Sequence, residues 1–162
     1  MTLYNIATVY IRMRDYPRAL EVARQGYEVD KGLGVDVGIT SALIAAILAF
    51  MGAPFDQIVI HLKPALETGL AERNFTTLND CMYCEFHLLM YAGRYEDSCE
   101  IIGLVLGSPL FNRDDPYAMV EIDAALETIR QHLSEDVIQA AIERGKTLDM
   151  LATAQALLAE LS

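Results

Sequence analysis

Apolar residues along the chain recur mainly at the three-to-four residue spacing of a helix face. Regular punctuation separates these stretches, and the pattern predicts helices at about 3–13, 16–30, 36–51, 56–70, 75–92, 95–106, 116–132, 135–144 and 148–161. Asp15 can cap the second helix, with Pro17 tolerated in its first turn. Gly32, Gly34 and Gly38 make a flexible joint, while Gly52 and Gly93 stand where helix-ending glycines are expected. Pro64 falls inside a helical pattern and should kink that helix or end it early. The longest connection, residues 107–116, is the best candidate hinge, and no segment reads as a strong strand.

Three helix-turn-helix units align. Ile6, Ala7 and Tyr10 precede Asp15-Tyr16; Ile44, Ala45 and Leu48 precede Pro54-Phe55; Glu85, Phe86 and Leu89 precede Arg94-Tyr95. The turn aromatics Tyr16, Phe55 and Tyr95 therefore recur about every 40 residues, and should fill the wedge between paired helices. Small residues (Ala7, Ala45, Ala19, Ser98) sit where the two helices of a unit must cross closely.

This pattern resembles the tetratricopeptide repeat. Unit one matches best, through Asn5, Ala7 and Tyr10 and then Asp15-Tyr16 with Ala19-Leu20. Units two and three are degenerate, with Ile58 and Phe86 at small-residue positions. The long units are similar to those in the C-terminal regions of bacterial maltose-activator-type regulators and signalling ATPases. Residues 143–157 resemble the helix that caps such regions. The resemblance implies an all-α, right-handed superhelix of antiparallel helix pairs, in one domain. Its units would cover about 1–34, 36–73 and 75–107, followed by C-terminal helices over 116–161. The apolar face of the first helix (Leu3, Ile6, Val9, Tyr10, Met13) has no preceding helix to cover it. That leaves two expectations beside simple packing on its partner helix: a fragment of a larger regulator, or a homodimer through the N-terminal helix pair.

The chain has 162 residues, 53% of them hydrophobic, which suits a folded domain rather than a disordered tail. Its formal charge of -11 is unevenly placed: residues 75–162 carry fifteen acidic and five basic side chains. No basic stripe is present, so direct nucleic-acid or anionic-lipid contact is not expected. Three cysteines and no secretory pattern at the N-terminus suit a cytoplasmic protein. Residues 37–55 lack charge, but Gly38, Gly52 and Pro54 favour a buried central helix over a membrane span.

Local motifs do not favour catalysis. Residues 140–147 approach a phosphate-binding loop but lack its first glycine and follow a helix, so Gly145 reads better as a helix-end cap. Cys81 and Cys84 diverge by about 60° on a helix and have no second pair, so buried thiols are preferred to zinc. His61, His87 and His132 lie far apart in the chain, and no nucleophile elbow or dinucleotide fingerprint occurs. No enzyme activity and no cofactor are expected. The acidic run Glu96, Asp97 and Glu100, and the pair Asp114-Asp115, read as a solvated face and a helix-entry cap rather than a basic-partner site.

In the repeat resemblance, the first helix of each unit lines a concave groove. Carried over position by position, the groove comprises Tyr4, Asn5, Thr8 and Arg12; Ala42, Leu43, Ala46 and Phe50; and Tyr83, Cys84, His87 and Tyr91. It would be singly basic at one end, apolar in the middle and aromatic at the other. Such a surface implies a protein or peptide partner, a helix or extended segment with apolar anchors and an acidic end. The function expected is a non-catalytic interaction module of a cytoplasmic signalling or transcription-regulating protein. The alternative is a small-ligand sensor with a pocket among Phe50, Tyr83, His87 and Tyr91. A third possibility is that the C-terminal segment from residue 116 onward folds into the groove.

Overall fold

The computed structural model describes residues 2–112, 114 and 118–162. Among them are nine helices and no strand: α1 (Leu3–Arg12), α2 (Tyr16–Gly32), α3 (Gly38–Phe50), α4 (Phe55–Ala71), α5 (Phe75–Tyr91), α6 (Tyr95–Gly107), α7 (Val120–Ile129), α8 (Glu135–Gly145) and α9 (Met150–Glu160). Their starts have a local cause. Side chains of Thr2, Asp15, Asn74 and Asp149 accept the otherwise orphaned N–H groups of Asn5, Arg18, Thr77 and Ala152.

One backbone device ends each of the first five helices. In every case an amide reaches back five residues to a carbonyl of the last turn: Asp15 to Tyr10, Val35 to Asp30, Ala53 to Leu48, Asn74 to Gly69 and Arg94 to Leu89. This closure needs a left-handed residue just before the donor. Gly34, Gly52 and Gly93 supply it at little steric cost, whereas Arg14 and Arg73 adopt it with φ of 57° and 52°.

The helices pair in chain order, α1 with α2, α3 with α4 and α5 with α6, and α3 also meets α2 and α5. The small residues expected at the crossings are there. Ala7, Ala19 and Ala45 are fully buried, and the Ser98 hydroxyl donates to the Phe86 carbonyl at 2.7 Å, tying α6 to α5. Helix α3 is apolar all round and nearly all buried, as the core of such a stack requires. Its 13 residues are too few to cross a bilayer, and no helix among the described residues is long and apolar enough to do so.

Several expectations change. Pro64 lies inside α4 without ending it. It sits on the exposed side, where the carbonyl deprived of its donor faces water. Tyr16, Phe55 and Tyr95 each open the second helix of a pair, but they are not a uniform wedge. Tyr16 reaches α7, Tyr95 stacks on His132 at 4.2 Å, and Phe55 is 57% exposed. Gly145 is no left-handed cap. A Cβ there would stand 1.9 Å from the Glu100 carbonyl oxygen, and one on Gly103 would stand 2.1 Å from that of Ile142. These two glycines let α6 and α8 touch backbone to backbone. Helix α9 then returns to α4 and α5. The acidic run beside this crossing is paired internally, since Arg144 binds both Glu96 and Glu100 and Arg94 binds Asp97. The expected entry at Asp115 and Pro116 lies outside the described residues; α7 begins at Val120.

Candidate functional site

The face where α1, α3 and α5 converge carries a cavity with a volume of ≈ 230 Å³. Seven groove positions expected from the sequence line it. Helix α1 contributes Tyr4, Thr8 and Arg12, α3 contributes Leu43, Ala46 and Phe50, and α5 contributes Tyr83. On α1 and α3 these positions lie three or four residues apart and so share one helix face.

The opposite wall comes from the α6–α7 connection and the start of α7, through Leu110, Phe111, Asn112, Ala118, Val120 and Glu121. The groove is therefore no open channel: the chain's own later segment lies across it. The rim is exposed at Arg12, Leu110 and Asn112, while the floor at Leu43 and Ala46 is buried.

Five expected positions lie elsewhere. Asn5 is exposed and does not line the cavity. Tyr91 is 54% exposed and lines a separate cleft of ≈ 630 Å³, bounded by the α3–α4 turn, α5 and the end of α9. His87 is buried behind the cavity, with ring centroids 4.9 Å from Phe50 and 4.7 Å from Phe86. Ala42 and Cys84 are wholly buried core. Phe50 and Tyr83 line the cavity, His87 is buried behind it and Tyr91 lines the other cleft, so these four residues do not share one pocket.

The polar groups fall into two clusters. At one end the Tyr4 hydroxyl donates to Asp80 Oδ2 at 2.8 Å. Burial pushes the Asp80 carboxyl up to about 7, against the opposing pull of the Tyr4 hydrogen bond. The charge of Asp80 in turn holds the Tyr4 phenol far above its ordinary range, so Tyr4 is a permanent donor. Beside them, Asn79 Oδ1 is buried without a hydrogen-bond partner among the described residues.

At the other end, Tyr16 donates to Glu121 Oε1 at 2.7 Å. Glu121 Oε2 lies 3.9 Å from His87 Nε2, too far for a hydrogen bond, and neither ring nitrogen of His87 finds a partner among the described residues. Burial lowers the His87 imidazole to about 4 and raises the Glu121 carboxyl. Both groups are therefore pressed toward neutrality.

Sequence reasoning did not select Asn79, Asp80, Phe111 or Glu121. The first two had a legible signal, because 79/80, 83 and 87 form one stripe on α5. Nothing local marks Phe111 or Glu121, whose roles depend on how a long connection returns.

Cys81 and Cys84 are fully buried, and burial raises both thiols. Among the described residues, no group of three or more His, Cys, Asp or Glu could hold a metal ion. Among the described residues the arrangement offers hydrogen-bond acceptors, the Arg12 guanidinium and aromatic walls. No family model, curated protein or solved structure matches this chain.

Proposed function

We propose that the chain is a non-catalytic regulatory module, a tetratricopeptide-like scaffold in a cytoplasmic signalling or transcription-regulating protein, whose inner face binds a small ligand. The observation that carries this reading is the partial closure of that face. Leu110 to Asn112 and the start of α7 turn an elongated groove into a cavity with polar groups at both ends. A peptide running the length of the groove would have to displace them. Ligand occupancy can instead be communicated through α7, because Glu121 both lines the cavity and binds Tyr16. A regulator gains its output from such differential contacts.

A peptide partner is a second reading, favoured by one fact: the face already accommodates an irregular stretch of backbone with an aromatic anchor, Phe111. A small-fragment screen by amide-resolved NMR tests the first reading. Fragments should shift Thr8, Ala46 and Tyr83 together. Ala46→Leu should abolish those shifts while changing stability by no more than about 1 kcal/mol, since it grows into open space. A screen that leaves these residues unmoved would reject the small-ligand reading.

A further inference from the structure

The cavity's chemistry is one-sided. Acceptors cluster at its Tyr4 end, where Asn79 Oδ1 has no partner among the described residues and Asp80 has one oxygen engaged by Tyr4. Tyr4, which might have served as a donor to a ligand, already spends its proton on Asp80. Aromatic rings from four separate elements line the same space: Tyr4, Phe50, Tyr83 and Phe111. Among the described lining residues are two carboxyl groups, Asp80 and Glu121, and the guanidinium of Arg12, while Arg14 binds the Val120 carbonyl and acts on Glu121 rather than on Asp80. Arg12 stands two turns along α1 from Tyr4, about 12 Å away by helical rise. The acceptor end and the basic rim are therefore distinct places.

We infer that this cavity is a site for a small organic cation, a primary ammonium compound whose N–H groups are received by Asp80 and Asn79 and whose body lies against the aromatic walls. An ammonium supplies what this end lacks, namely donors and positive charge. The rings add attraction to a cation within about 6 Å of their faces, and more so where water is excluded. An anion would meet the Asp80 carboxyl, and a neutral ligand would bring fewer donors and no positive charge to it. The space, about eight liquid waters in volume, limits the ligand to a short chain or a single small ring. This assignment rests on the inner face being a small-ligand site, and goes further by naming the ligand's class.

Binding should also be linked to protons. Asp80 is held up to about 7 by burial, so an ammonium displaces a proton from it and affinity rises as pH increases through 7. The charged and titratable groups around it are Tyr4 from α1, Cys81 and Tyr83 on α5 itself, and Glu121 from α7. The phenols and the thiol are raised and stay neutral over this interval.

The test uses three probes of similar size, n-butylammonium, 1-pentanol and pentanoate, titrated into the 162-residue chain at pH 8 and followed by NMR at Thr8, Ala46 and Tyr83. Butylammonium should bind at least tenfold more tightly than either other probe, and should weaken several-fold at pH 6. Asp80→Asn should remove most of the cation preference while leaving pentanol affinity unchanged. Tyr83→Leu, which keeps Asp80, should weaken the cation more than the alcohol. Equal or tighter binding of pentanol or pentanoate at these residues would overturn the cation assignment and leave the small-ligand reading standing. Silence from all three probes would overturn the assignment, and the fragment screen then decides the broader reading.

Discussion

Where α6 crosses α8, Gly103 and Gly145 bring one backbone against another with no side chain between them. Where α1, α3 and α5 converge, rings and long side chains line the face, and ≈ 230 Å³ remains open. Both places bury helix surface, yet they were built from opposite residue choices. The first has exchanged side chains for contact, which makes a rigid joint intolerant of a single added carbon. The second keeps polar groups at partial satisfaction around a void, which costs stability and leaves room for another molecule. Close backbone contact is concentrated at the C-terminal crossing and open space on the inner face.

The joint can be broken with one methyl group. Gly145→Ala would place a Cβ inside the Glu100 carbonyl, so α8 must separate from α6. A loss of at least about 3 kcal/mol is expected, visible as a melting-temperature drop of roughly 10 °C. A change within experimental error would show that the crossing is looser than its geometry implies.

The cavity side is sharpened by its ionisable groups. Asp80 titrates near 3.8 when unfolded and about 7 when folded, so the folded chain holds the extra proton between those values. Its contribution is most favourable at low pH and is lost as pH rises through 7. Asp80→Asn removes that loss and keeps an acceptor for Tyr4. The variant should gain on the wild type by about 1–2 kcal/mol at pH 8, since the partly accessible carboxyl is screened by solvent, and nothing at pH 3.5, in urea unfolding at both pH values.

His87 works in the opposite sense. It titrates near 6.5 unfolded and about 4 folded, so stability falls as pH drops through that interval while the unfolded chain takes up the proton. His87→Leu removes two unpartnered ring nitrogens at similar volume. A gain of about 1 kcal/mol is expected at pH 7, widening as pH falls toward 4. A constant difference between pH 7 and pH 4 would mean that His87 is not held neutral.

Much of the fold could be read from residue order because its causes are local. Capping side chains, left-handed turn residues and three-to-four periodicity act over a few positions, and eight of the nine helices start and end within two residues of expectation. The groove positions on α1 and α3 came instead from the tetratricopeptide resemblance, which implies that the first helix of each unit lines the inner face. What escaped was set by distant chain. Glu121 and Phe111 reach the inner face only because a long connection returns there. Tyr91 is turned away from it by rotation along α5, and Gly145 is explained by a carbonyl on α6. The tetratricopeptide likeness anticipates helix pairs stacked in order, but says nothing of a later segment crossing their inner side.

The hydrogen bonds that frame the cavity join residues 76 and 105 positions apart, Tyr4 to Asp80 and Tyr16 to Glu121. Neighbouring helices, by contrast, meet across turns of a few residues. Bringing remote parts of a polymer together costs more entropy than closing a hairpin, so the helix pairs can form before these two links do. The receptor space is thus assembled late in folding. It is also the part most readily lost in partial opening, so a molecule seated there would act as a clasp between the chain's beginning and its final third.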